Sequence, residues 1–268
     1  MRVGVKKSDF GLIDLIDRPL GSRIRKGYVG SIDTTGRAMD DTPFEAADRH
    51  VLDPGCDRCP ALVASRTEIA WGNGPADADV MVVGEAPAAG DPSADRWRGG
   101  NLTGYAYTSR HSGRRIRRFM AAIGYPDAYY TNAVKCFPAE EDRSDPDDID
   151  RSNQDENGPS NREPTDEELS NCRSHLLSEV ELVDPETIVT TGKHATRTVF
   201  SIEGWRLDGF LDRVLDSIEC PRLGVRLVPI LHPSYQDIWR SRLGYTAEEY
   251  REAAATVIGG GPPPNSGP

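Results

Sequence analysis

The chain has 268 residues, with 43 Asp and Glu against 32 Lys and Arg, a net charge of −11, and five cysteines. That length suits one large domain with decorated ends, and no apolar run long enough for a transmembrane helix is present. The N-terminus has no secretory-type apolar stretch and the cysteines are too few for a disulfide scaffold, so a cytoplasmic protein is expected.

Residues 1–50 show no sustained hydrophobic period and are expected to form an N-terminal extension. The domain proper is expected over 51–258. Its first strand is predicted over 79–84 (DVMVVG), a short apolar run closed by glycine. A helix follows over 112–123, where Ile116, Phe119, Met120 and Ile123 recur at helical spacing. A second strand is predicted over 128–134 (AYYTNAV). Residues 139–168 are acidic, lack aromatic residues and hold almost nothing apolar, so they read as a loosely ordered insertion. A helix over 165–183 opens with Thr-Asp-Glu-Glu, a capping-box signature, and carries Leu176, Leu177, Val180 and Val183 on one face. Strands are predicted at 187–191 and 225–231, and helices at 193–200 and 246–257. The tail 259–268 (GGGPPPNSGP) reads as flexible. Alternating strands and helices imply an α/β fold: a mainly parallel four-stranded sheet covered on both faces, a three-layer α/β/α sandwich. Ligands then bind beyond the carboxyl ends of the strands.

Charge is unevenly placed. Residues 139–169 hold 13 acidic side chains against three Arg, whereas 96–126 hold seven Arg and no acid. Five Lys against 27 Arg, with abundant Asp, is a composition that a high-salt cytoplasm favours. The basic block suits a nucleic-acid partner, which net charge alone argues against.

Two constellations stand out. Cys56 and Cys59 form a CxxC pair, Cys136 follows the second strand, and Cys172 lies early in the helix after the insertion. Four thiolates so arranged can bind zinc or a [4Fe–4S] cluster; buried cysteines without metal are the other reading. Cys220 lies outside that pattern and reads as an ordinary thiol. The second constellation is Glu85 with His232, each at a strand end. A carboxylate there can orient a water or take its proton, and an imidazole can donate to developing negative charge.

CDRCP at 56–60, VVGEAP at 82–87, YTNAVKCFP at 130–138, Cys172 with TIVTTGKHAT at 187–196, and LHPSY at 231–235 together resemble the motifs of the family-4 uracil-DNA glycosylases, the iron–sulfur type. The resemblance covers about residues 54–258. It implies a monofunctional glycosylase that flips uracil out of DNA and hydrolyses its N-glycosidic bond to start base-excision repair. Glu85 would position the attacking water, and His232 would stabilise the uracil O2. Asn132 would read the pyrimidine edge, with Gly84 and Ala86 beside it. Cys56, Cys59, Cys136 and Cys172 would ligate a structural [4Fe–4S] cluster, with zinc as the alternative. A monomer acting on DNA is implied, and no protein partner or membrane.

The sequence departs from the family in three places. Ala88 stands where the motif has Gly after GEAP. The stretch at 99–113 (GGNLTGYAYTSRHSG) lacks the family's base-stacking Phe, so Tyr105 or Tyr107 would serve. The APAAG and NLTG pieces look closer to the sister family 5, which accepts more bases but lacks the acidic residue. The insertion also lengthens the gap between the third and fourth cysteines, which a bulging loop tolerates. Arg110, Arg114 and Arg115, with His111, Arg117 and Arg118 beside them, would contact phosphates, as would Ser234. Residues 235–240 (YQDIWR) would supply a wedge into the duplex, or Tyr235 and Trp239 would simply pack. Two other readings stay open: excision of another deaminated base, and a non-catalytic nucleic-acid-binding protein with a structural four-cysteine metal site.

Overall fold

The computed structural model describes residues 49–140, 161–233 and 235–262, all within the unit 45–268. The expected extension up to residue 48, residues 141–160 of the insertion, Ser234 and the tail from 263 lie outside the described residues.

All four predicted strands are present as β1 (Val80–Gly84), β2 (Tyr129–Asn132), β3 (Thr187–Thr191) and β5 (Val225–Ile230). A fifth, β4 (Ile218–Cys220), adds to the edge of β5 in antiparallel sense. It is too short to show a period, which is why the sequence pattern misses it. The sheet order is β2-β1-β3-β5-β4, with every other pairing parallel. From β1 the chain passes first to β2 on one side and then to β3 on the other, so the carboxyl end of β1 is a topological switch point.

The helices are α1 (Pro60–Ser65), α2 (Gly100–Thr103), α3 (Ser112–Ala122), α4 (Asp166–Val183), α5 (Lys193–Glu203), α6 (Gln236–Arg242) and α7 (Ala247–Ile258). Val80 and Val82 of β1 face Ile116 and Met120 of α3 and Tyr250 and Val257 of α7. Met81 and Val83 point the other way, to Leu176 and Val180 of α4 and Val199 and Phe200 of α5. With both faces covered, β1 and β3 are buried along their whole length, without an exposed face to alternate with. A third cluster joins Leu62, Ile69, Trp71 and Val134 to Cys136 and Cys172.

The last part of the expected loose insertion is structured. Thr165 caps α4: its Oγ1 accepts from Glu168 N at 3.2 Å, and Glu168 Oε2 accepts from Thr165 N at 2.8 Å. Arg162 reaches Glu168 at 2.6 Å, and its backbone N–H donates to Pro138 O at 3.0 Å. Together with the Ala139–Asn161 bridge, these contacts tie the two feet of the insertion to each other. Below them lies a buried ion pair, in which Lys135 Nζ meets Glu179 Oε2 at 2.5 Å. Glu179 also accepts from Gly72 N at 3.1 Å and Thr131 Oγ1 at 2.6 Å, which satisfies the carboxylate.

Candidate active site

The end of β1 is built around an absent side chain. Gly84 is in register with Asn132 of β2. A Cβ on Gly84 would collide with Asn132 Oδ1 and lie 2.6 Å from Tyr107 Oη. The carboxamide and the phenol therefore converge over the glycine. Tyr107 Oη is held against Thr191 Oγ1, at the end of β3, at 2.5 Å. With Glu85, Ala86, Pro87, His232 and Tyr235 these residues line a cavity of about 320 Å³. Four strand ends thus contribute to one concave site.

Burial and neighbouring charge set the protonation states. Burial raises the Glu85 carboxyl to about 7, the Glu163 carboxylate adds to the rise, and Arg197 opposes it. Burial lowers His232 to about 4, with His194 contributing. At neutral pH the site therefore holds a carboxyl poised between its two forms and a neutral imidazole. A neutral imidazole still donates one N–H, so His232 can act as a hydrogen-bond donor without carrying charge. Burial also pushes the Tyr107 phenol up, which keeps it protonated. Glu163 pairs with His194 Nε2 at 3.1 Å and Asp166 with Arg197 at 2.9 Å. These two contacts fasten Glu163, ahead of α4, and Asp166, its first residue, onto the first turns of α5.

The structure separates the two candidate stacking rings. Tyr107 lines the cavity and Tyr105 does not: the Tyr105 ring lies 5.2 Å under the Arg49 guanidinium, and its backbone bridges to Trp71. The basic block also divides. Arg110, Arg115 and Arg118 are exposed and Arg114 is half-buried, whereas the Arg117 guanidinium turns into the core. Arg115 is tied to the Pro233 carbonyl at 3.3 Å, beside His232. The expected wedge segment is the start of α6. Tyr235, which lines the cavity, and Ile238 stand 59% and 56% exposed, whereas Trp239 packs on the core beneath Arg242. The amphipathic turn sends Trp239 inward, so among the large apolar side chains of the expected segment Tyr235 and Ile238 are the ones exposed to a partner.

Asn161 was not among the sequence candidates, yet it lines the cavity. Its Nδ2 donates to Pro87 O at 3.0 Å, two residues beyond Glu85. It lies within the acidic stretch, where composition points to loose structure. The only local sign of order nearby is the Thr165 cap.

The cysteines gather beside α1. Cys59 precedes Pro60 at the helix start, and all four sulfurs sit in or against the third apolar cluster. Each has a nitrogen neighbour: Arg66 Nη1 donates to Cys136 Sγ at 3.3 Å and Asn171 Nδ2 to Cys59 Sγ at 3.5 Å. His175 Nε2 lies 3.5 Å from Cys56 Sγ, and the Lys135 backbone donates to Cys172. Burial raises the thiols of Cys59, Cys136 and Cys172, the last to about 11, so a bound metal would have to displace protons. Among the described residues, the ligand atoms of Asp53, Cys56 and His175 form the one set of three mutually within 4.8 Å. The four sulfurs are therefore spread more widely than the roughly 3.8 Å that tetrahedral zinc thiolates require. Cys220 is buried in the core, away from this group. No helix among the described residues is long and apolar enough to cross a membrane.

Comparison with known proteins places this geometry. Residues 71–256 match the family profile described as the uracil DNA glycosylase superfamily. A type-5 uracil-DNA glycosylase of Pyrobaculum aerophilum is 31% identical over 232 residues, covering 75% of this chain and 88% of the relative. A type-4 uracil-DNA glycosylase of Thermotoga maritima is 31% identical over 182 residues, covering 67% and 77% respectively. A type-4 enzyme of Archaeoglobus fulgidus is 28% identical over 184 residues, covering 67% and 76%. On the length of the profile match and the extent of these likenesses, the chain belongs to the uracil DNA glycosylase superfamily.

Proposed function

We propose that the chain removes uracil from DNA by hydrolysing the N-glycosidic bond, and that 51–258 is the catalytic domain. The observation that carries this reading is the meeting of Glu85, Asn132, Tyr107 and His232, from separate elements, around one cavity. A flipped uracil stacks on the Tyr107 ring, and the Asn132 carboxamide reads its edge. As the N1–C1′ bond breaks, its electron pair stays on the base, and neutral His232 donates to the developing charge on O2. The Glu85 carboxylate orients a water toward C1′ and takes its proton. Arg110, Arg114, Arg115 and Ser234 contact phosphates, and Tyr235 and Ile238 occupy the gap left by the flipped base.

Cys56, Cys59, Cys136 and Cys172 would hold a [4Fe–4S] cluster. The gathering of the four sulfurs in or against one apolar cluster, with Arg66 and Asn171 donating to two of them, supports a shared metal group there. When bound, it supplies a covalent cross-link among three chain segments. The Arg-rich, Asp-rich composition fits a high-salt interior.

The test is base release in molar salt from single- and double-stranded oligonucleotides carrying one uracil, with hypoxanthine and xanthine duplexes alongside. Alkali-sensitive strand breaks at uracil are expected. Breaks only at a deaminated purine would move the substrate, and no release by folded protein would sink the enzymatic reading. The protein should be brown, with broad absorbance near 400 nm that is lost in Cys136→Ala; a colourless protein with bound zinc would overturn the cluster.

Gly84→Ala gives a second expectation. The new methyl group must displace Asn132 or the Tyr107 phenol, at a stability cost of about 1–3 kcal/mol. Uracil release should fall by about a hundredfold, far more than the small loss in melting temperature accounts for. Comparing kcat/KM with a thermal melt checks this.

A further inference from the structure

Helix α3 grips one residue of the cavity wall. Gly113, in its first turn, lies directly under the Tyr107 backbone: a Cβ there would sit 2.5 Å from Tyr107 C and O. One turn on, along the same face, Arg117 donates from Nε to Tyr107 O at 3.0 Å. Its Nη2 donates to Asn73 Oδ1 at 2.5 Å and to Ala106 O at 3.2 Å. The guanidinium lies 3.9 Å over the Tyr130 ring, which in turn meets the Tyr107 ring edge-on at 5.7 Å. Burial lowers the Arg117 pKa to about 10, so the group remains a cation at neutral pH.

Tyr107 has a φ of +56°, in the left-handed region that aromatic residues avoid. Such a conformation persists only where its surroundings enforce it. Here the enforcing contacts come from α3, and the planar fork of Arg117 is what reaches three oxygens from one side chain. The sequence places Arg117 among the phosphate-binding arginines; the structure gives it other work.

We propose that Arg117 is a positioning residue that holds the Tyr107 ring at the angle needed to stack on the flipped base. This rests on the reading of Tyr107 as the stacking ring. Its charge is not the essential property; its geometry is. A lysine keeps the cation but lacks the planar fork that donates to three oxygens at once.

The test is a double-mutant cycle with Arg117→Met, Tyr107→Leu and the double variant. The readouts are kcat/KM on a uracil oligonucleotide, inhibition by free uracil, and thermal melting. Each single variant should lose about tenfold or more in kcat/KM and bind free uracil more weakly. The double variant should be no worse than Tyr107→Leu alone. Losses that multiply would show that Arg117 acts independently of Tyr107 and would overturn the proposal. A Tyr107→Leu variant with full activity would instead remove the stacking reading, and this proposal with it. If Arg117→Met does not fold, Arg117→Lys takes its place in the cycle: a loss absent in the Tyr107→Leu background supports the brace, and full activity of Arg117→Lys refutes it.

Discussion

Glu85→Gln is expected to slow uracil release by about 10²–10⁴-fold, the range for removing a positioned general base. The variant is nearly isosteric, so the cavity and the melting temperature should change little. In the unaltered protein the rate should climb with pH through about 7, the value to which burial and Glu163 raise the Glu85 carboxyl, because the carboxylate is the working form. The groups that face it set the sign of further shifts. Glu163→Gln removes an anionic neighbour, so the carboxylate forms more readily and the acid limb moves to lower pH. Arg197→Gln removes a cation and should move the limb the other way. His232, lowered to about 4, is neutral across this window. His194, whose pKa burial also lowers, faces Glu163. Single-turnover rates across the pH range decide the matter. An acid limb that stays in place in Glu163→Gln would disconnect the two carboxyls.

The largest effect on stability should come from breaking the buried pair of Lys135 and Glu179. Both side chains are almost fully inaccessible, 1% and 0% exposed, so neither can recover its hydration when the other is lost. Lys135→Met leaves the Glu179 carboxylate buried without its cation and should cost about 3–5 kcal/mol. At this chain length each kcal/mol lowers the melting temperature by about 2–4 °C, so the fall is measurable by calorimetry. Lys135→Met combined with Glu179→Gln should restore most of the loss. The glutamine keeps an acceptor for Gly72 and a donor for Thr131, and no charge remains buried. A double variant as unstable as the single one would show that hydrogen bonding by Lys135, to Asn132 O at 2.6 Å and Thr131 Oγ1 at 2.7 Å, matters more than its charge.

The parts of the fold that are legible in the sequence are those with strong local signals. The four parallel strands are short segments of apolar and β-branched or aromatic residues, and the Thr165 capping box marks the start of α4. Glu85, Asn132 and His232 are legible because each ends a strand, and strand ends are where such folds work. What the sequence leaves undecided depends on direction. Tyr105 and Tyr107 are two residues apart in an irregular segment, where no period says which ring faces inward. Arg117 counts as one more cation until Gly113, one turn before it, is seen to bring the Tyr107 backbone within reach. Asn161 is hidden by its composition: its neighbours are acidic and polar, and its place at the cavity depends on a long-range bond to Pro87. Whether Trp239 packs or points outward is not legible because α6 is short, and a single turn decides which residue is exposed.

The paired feet of the insertion, Ala139 against Asn161 and Arg162 against Pro138, make a closed clasp at the rim of the cavity. A clasp of this kind separates what hangs beyond it from what it encloses. The entropy of closing a loop rises only slowly with its length, so the sequence beyond the clasp is free to lengthen, shorten or change composition over evolutionary time while the catalytic groups stay in place. For the same reason it marks a splice point. A reporter or tether inserted between 141 and 160 would leave the catalytic domain intact, whereas a cut that reached Asn161 would unfasten the wall of the cavity itself.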